Sequence, residues 1–247
     1  MKPVDGGGGR PIRRVKRKTS WKILWREERY TVLLASIFIY TLLSALLPQN
    51  TWGAALLDFI FLVLVISVVF EAARFRSIFS IFGLLGLLAL LGHGVSYLWE
   101  GKSQGQVILS ISSILFILAA IIQVSKRVLG SKVVTGDTIR GAIIIYLLIG
   151  ALFTSVFILI EIAIPGSYLI TNSAGRPTGC AIDKVSKLFS YYSMVTLTTL
   201  GYGDIVPVKE LSRTTAWVEA FIGQIYLAVI IARLVGIYIA QSVKKSL

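Results

Sequence analysis

The sequence predicts an all-α membrane protein with six spanning helices, and three observations predict it. Hydrophobic residues make up 55% of the 247 and charged residues 15%, with a mean hydropathy of +0.80, too apolar for a water-soluble domain of this length. Apolar stretches near the roughly 20 residues that a bilayer core requires recur at 31–47, 54–70, 78–98, 107–124, 141–164 and 214–240. The basic residues collect in alternate connections between those stretches.

Residues 1–30 hold ten Lys or Arg against three acids, which is +7 of the formal +13. Arg74 and Arg76 follow the second stretch, Lys126, Arg127, Lys132 and Arg140 the fourth, and Lys244 and Lys245 the sixth. Basic loops stay on the cytoplasmic side, so both termini are expected in the cytoplasm of a multi-pass protein of the inner or plasma membrane. The expected units are a basic segment at 1–30, a four-span membrane domain at 31–128, a cytoplasmic linker at 129–140 and a final unit at 141–247. No repeat at solenoid spacing is visible.

The basic segment runs from Gly6–Gly9 through Arg13–Lys18 to Trp21 and Trp25. A nucleic-acid arm is one reading of such a cluster. The first apolar stretch begins only a few residues later, so anionic lipid headgroups are the expected partner and nucleic acid is not. A cleavable signal peptide is not expected, since no small-residue cleavage site follows.

Between the fifth and sixth stretches the character changes. Residues 165–183 read as a polar loop, and a helix from about Lys184, with Asp183 as its cap, is too short and too polar to span. It leads through Tyr191-Tyr192-Ser193-Met194-Val195-Thr196-Leu197-Thr198 into Thr199-Leu200-Gly201-Tyr202-Gly203-Asp204. Two glycines alone mark a turn. Gly201 and Gly203, however, alternate with larger residues, and they can take the positive φ that a Cβ resists.

The six residues resemble the signature of the tetrameric potassium-channel family, in its six-span prokaryotic form without an arginine-rich voltage sensor. The eight before them resemble its pore helix. The resemblance covers 139–240 strongly and the first four spans by topology alone. Tyrosines stand where a tryptophan pair is frequent, Leu200 where valine or isoleucine is usual, and Val195 where some members carry glutamate. None of these departures removes a carbonyl or a glycine. The resemblance implies a homotetramer in which the carbonyls of Thr199, Leu200, Gly201 and Tyr202, with the Thr199 hydroxyl, replace the hydration shell of a permeant K+, and Gly203 completes the filter. Thr198, Asp204, Tyr191, Tyr192 and Glu219 would support it from behind. The unit at 141–247 is then the pore domain, conducting K+ passively without a cofactor.

In the sixth stretch a helical period from Gly223 puts Gln224, Leu227, Ile231, Val235 and Ile239 on one stripe, which the resemblance makes the pore lining. A glycine in mid-helix costs about 1 kcal/mol relative to alanine, so Gly223 serves either bending or close packing. Glu219 falls off the stripe toward the rear of the filter, where Ser190, Ser193 or Tyr191 would bond it. Arg233 lies about 15 Å deeper at 1.5 Å per residue and is expected to snorkel to the inner interface. Few residues follow, so no regulatory module is expected there, and no regulatory partner is indicated.

Cys180 and His93 are each alone of their kind and are read as a free thiol and a packing residue. No Ser/His/Asp, paired-carboxylate or Cys/His constellation is present, and the glycine-rich segment lacks the Lys-Ser/Thr ending of a phosphate loop. The chain is therefore not expected to be an enzyme. Residues 107–124 contain no Arg or Lys, which excludes a conventional voltage sensor in the fourth span. Two other classes remain open: a subunit of a K+ uptake transporter, whose chains carry four degenerate filters, and a non-conducting scaffold or receptor, which would be expected to lose Gly201 or Gly203 first.

Overall fold

In lipid every main-chain polar group must be satisfied within the protein, and this chain does so with helices. The computed structural model describes residues 29–46, 51–72, 86–87, 103–131, 133–170 and 182–246. Helices α1 (Arg29–Leu46), α2 (Thr51–Ala72), α3 (Ser103–Gly130) and α4 (Gly136–Ala163) precede strand β1 (Tyr168–Ile170), helix α5 (Ile182–Leu197), strand β2 (Ile205–Pro207) and helix α6 (Glu210–Ser246). Among the described residues, Ser110–Gly130, Gly136–Ala163 and Glu210–Val243 are long and apolar enough to cross a membrane, and shorter apolar runs occupy Tyr30–Leu43 and Phe59–Val68. The chain is an all-α membrane protein. Apart from 86–87, the expected third span lies outside the described residues, as do the basic segment up to residue 28, His93 and Cys180.

On α3, Phe116, Ala120, Val124 and Val128 recur every fourth residue and are all buried, which makes one continuous stripe. It packs on α4, with Ile144, Ile145 and Leu148 buried there. The Val128 side chain seats directly on Gly141, where an added Cβ would lie 2.6 Å from Val128 Cγ2. Helix α1 buries Tyr30, Leu33 and Ile37 on one face and turns Phe38 outward. Apolar side chains exposed along the opposite faces suit a bilayer, where burial inside protein is not the only refuge from water. Hydroxyls bond back to their own helices, as Ser36 does to Leu33 O, Thr41 to Ile37 O and Ser67 to Val63 O. Each polar group is thereby satisfied without water.

The corner between α3 and α4 is built by capping. Thr135 Oγ1 accepts from Thr138 N at 3.3 Å while Thr138 Oγ1 accepts from Thr135 N at 3.4 Å, a reciprocal box at the start of α4. Arg233 reaches this corner from α6, its Nη2 donating to Leu129 O and, at 3.3 Å, to Ser131 O. Its guanidinium thus ends on main-chain oxygens at the linker expected to be cytoplasmic. The last carbonyls of a helix have no partner within it, and a guanidinium supplies donors in a fork. Arg233→Met is expected to loosen this corner by about 1.5–3 kcal/mol, the range for a charged hydrogen bond. Amide exchange at 129–135 should accelerate roughly tenfold or more on that basis, and unchanged exchange would mean that the tie carries no stability.

Candidate functional site

The site begins where α4 ends. The Glu161 carboxylate accepts from Gly166 N and Ser167 N, both at 2.9 Å, and holds a turn in which Gly166 has φ +78°. The chain then enters β1, which pairs antiparallel with β2 in the register Tyr168↔Pro207, Leu169↔Val206, Ile170↔Ile205. The opening of the expected polar loop is therefore a strand. Ser212 from α6 locks it by donating to Ser167 O at 2.9 Å. The two strands hold the ends of the segment that contains residues 198–204.

Helix α5 starts at Ile182, one residue before Asp183, so Asp183 lies within the first turn rather than ahead of it. The two tyrosines of α5 take opposite roles. Tyr192 is buried among aromatics, its ring 5.0 Å from Phe157 and 5.5 Å from Tyr168, with Phe189 4.7 Å from Tyr168. Tyr191 faces the other way and stacks on Tyr202 at 6.5 Å and 9°, its hydroxyl bonded to Asp204. Asp204 Oδ1 also accepts from Ile205 N at 3.1 Å. One side of α5 thus anchors in the chain's own core, and the other braces the loop.

The loop leaves α5 with its amides spent inside. Thr199 N donates to Thr196 O and Leu200 N to Val195 O, each at 2.9 Å, and Thr198 Oγ1 donates to Met194 O at 2.6 Å. Three alternate residues have positive φ: Thr199 at +60°, Gly201 at +57° and Gly203 at +78°. In an ordinary extended strand successive carbonyls point to opposite sides. Alternating the sign of φ removes that reversal and turns them to one side. Thr199 is the unforeseen member, because a β-branched residue is a genuine outlier at positive φ. Leu200 and Tyr202 are 58% and 66% exposed on the single chain.

Helix α6 supports this loop with one face. Ser212, Ala216, Glu219 and Ile230 are buried at helical spacing. Gly223 lies on the same face, where an added Cβ would meet the Leu197 main-chain oxygen at 2.5 Å. Of the two explanations for this glycine, close packing has a direct structural cause, and α6 runs unbroken through it. Gly223 therefore does not share the exposed stripe of Leu227, Ile231, Val235 and Ile239. Gln224 does, and its Nε2 donates to Thr199 Oγ1 at 3.4 Å. Below Thr199 an open hollow of about 550 Å³ is lined by Ala220, Phe221, Gln224, Ile225 and Ala228.

Glu219 is fully buried, with Oε1 2.5 Å from Ser193 Oγ. Of the three hydroxyls expected near it, Ser193 is the one bonded. Tyr146 and Tyr226 went unrecognised in the sequence. The Tyr146 hydroxyl donates to Leu197 O at 3.1 Å and that of Tyr226 to Ala142 O at 2.6 Å, with the two rings stacked at 6.0 Å. A signal existed, since a tyrosine inside an apolar helix needs a partner for its hydroxyl. Among the described residues no group of three His, Cys, Asp or Glu could hold a metal ion.

Residues 186–240, from α5 through the loop to near the end of α6, match the family model described as an ion channel. No curated protein matches the chain. The matched stretch contains the alternating loop, its brace on α5 and the exposed stripe of α6, so the match supports an ion-channel reading for this part of the molecule.

Proposed function

We propose that four copies of the chain surround a K+-selective pore, each contributing the carbonyls of Thr199, Leu200, Gly201 and Tyr202 to stacked ion sites. The observation that carries this reading is the alternation of positive φ at Thr199, Gly201 and Gly203. Main-chain oxygens turned to one side replace an ion's water without any charged ring. One loop supplies only part of a coordination shell, so the site is incomplete in a single copy. The exposure of Leu200 and Tyr202 supports coverage by neighbouring copies. The hollow beneath Thr199 would then open into a shared cavity lined by Gln224, Leu227, Ile231 and Val235.

Purified protein in K+-loaded vesicles tests the function, with native mass measurement for the assembly. The expected outcome is a tetramer that releases K+ and Rb+ and retains Na+. A conducting monomer or dimer would contradict the assembly, and equal release of Na+ would contradict the selectivity.

Gating is proposed to be only weakly voltage-dependent. Moving one charge across the field is worth about 2.3 kcal/mol per 100 mV, and the stretch 107–124 of α3 supplies none. Arg127, near its end, packs over the Tyr30 ring at 5.9 Å. Activation curves from tail currents in symmetric K+ should be shallow between about −100 and +100 mV. A slope worth several gating charges would count against this.

A further inference from the structure

Ser193 Oγ has one proton and two acceptors. It lies 2.7 Å from Gly150 O and 2.5 Å from Glu219 Oε1, both short distances for a hydroxyl. A single O–H cannot serve both at full strength. Glu219 Oε2 meanwhile has no hydrogen-bond partner and the residue is 0% exposed. The titratable groups near enough to feel its charge are phenols: Tyr146 from α4, Tyr168 from β1 and Tyr192 from α5. No Lys or Arg among the described residues offsets it. An ionised carboxylate here would be a buried charge with half its acceptor capacity unused, which is expensive.

We propose that Glu219 is a neutral carboxylic acid whose proton completes a hydrogen-bond chain from α6 through α5 to α4. The acid O–H donates to Ser193 Oγ, and the Ser193 O–H is freed to donate to Gly150 O. Every short distance then has its own proton, and Oε2 becomes an uncharged carbonyl oxygen whose lack of a partner costs far less than a charge would. The chain crosses the junction at which these helices meet. Gly150 lies against Met194, one residue after Ser193, and Gly223, one turn after Glu219, lies against Leu197.

Loss of the proton changes the pattern. With a carboxylate at 219, the Ser193 hydroxyl turns to the charge and releases Gly150 O, so α5 is no longer tied to α4 at that point. The tie from Ser193 to Gly150 O is present while Glu219 holds its proton and is lost with it. The assignment concerns the folded chain and does not rest on which ion passes.

Infrared spectroscopy of the purified protein in lipid vesicles tests it without any measurement of current. At neutral pH the difference between wild type and Glu219→Gln should contain a protonated-carboxyl C=O band that shifts in D2O. The band should shift again in Ser193→Ala and vanish from the wild type at alkaline pH. Carboxylate bands alone at neutral pH would overturn the proposal, as would an acid band indifferent to Ser193→Ala. If Glu219→Gln fails to assemble, the Ser193→Ala shift and the alkaline titration of the wild type decide between the same outcomes.

Discussion

Gly201→Ala is expected to abolish selective current while leaving the protein in the membrane. An added Cβ meets nothing within 4 Å at this position, so space is not the obstacle. The backbone is: Gly201 sits at φ +57°, and an L-residue with a Cβ pays roughly 1–2 kcal/mol there. In the proposed ring of four the strain would repeat in every subunit, and relief would come from turning a peptide so that its carbonyl leaves the proposed ion path. Several kcal/mol in total, at about 1.4 kcal/mol per factor of ten, suppresses the conducting geometry by roughly a thousandfold or more. Single-channel recording beside surface labelling or membrane fractionation separates lost conduction from lost protein. Retained selective current would place the ion path elsewhere.

Gly223→Ala should be nearly as damaging for a different reason, and Gly150→Ala provides the contrast. Alanine gains about 1 kcal/mol over glycine in helix propensity, so both substitutions would stabilise a free helix. At Gly223 the new Cβ meets the Leu197 carbonyl oxygen at 2.5 Å. That oxygen belongs to the last residue of α5 and already accepts from Tyr146, so it cannot withdraw without moving Thr198 and Thr199. Overpacking of this kind costs about 1–3 kcal/mol per site, enough to reverse the propensity gain. At Gly150 the nearest atom is Met194 Cε at 2.6 Å, the mobile end of a flexible side chain. Thermal denaturation of the assembled protein should fall clearly for Gly223→Ala and change little for Gly150→Ala. Equal effects would show that the main-chain contact is not the cause.

What the sequence made legible follows from how local each signal is. Apolar runs and the helical period placed α1 to α4 and α6, and the period together with the family resemblance turned Glu219 toward α5. Positive φ at Gly201 and Gly203 was readable because glycine advertises it. Thr199 was not, because its φ is imposed by the amides of Thr199 and Leu200 turning back to α5. The acceptors of Arg233 were not readable, since they lie more than one hundred residues earlier in the chain. Three-residue strands carry no periodicity, so β1 at the start of the expected polar loop and β2 just after residues 198–204 were missed. Gly223 left two explanations open until the neighbouring carbonyl was located.

The reversal potential under mixed K+ and Na+, measured on purified protein in a planar bilayer, tests the central claim most directly. A loop that offers only fixed main-chain oxygens and the Thr199 hydroxyl predicts a potential close to the K+ equilibrium value, following the K+ gradient when that gradient is reversed. A potential near zero under equal and opposite K+ and Na+ gradients would contradict the account.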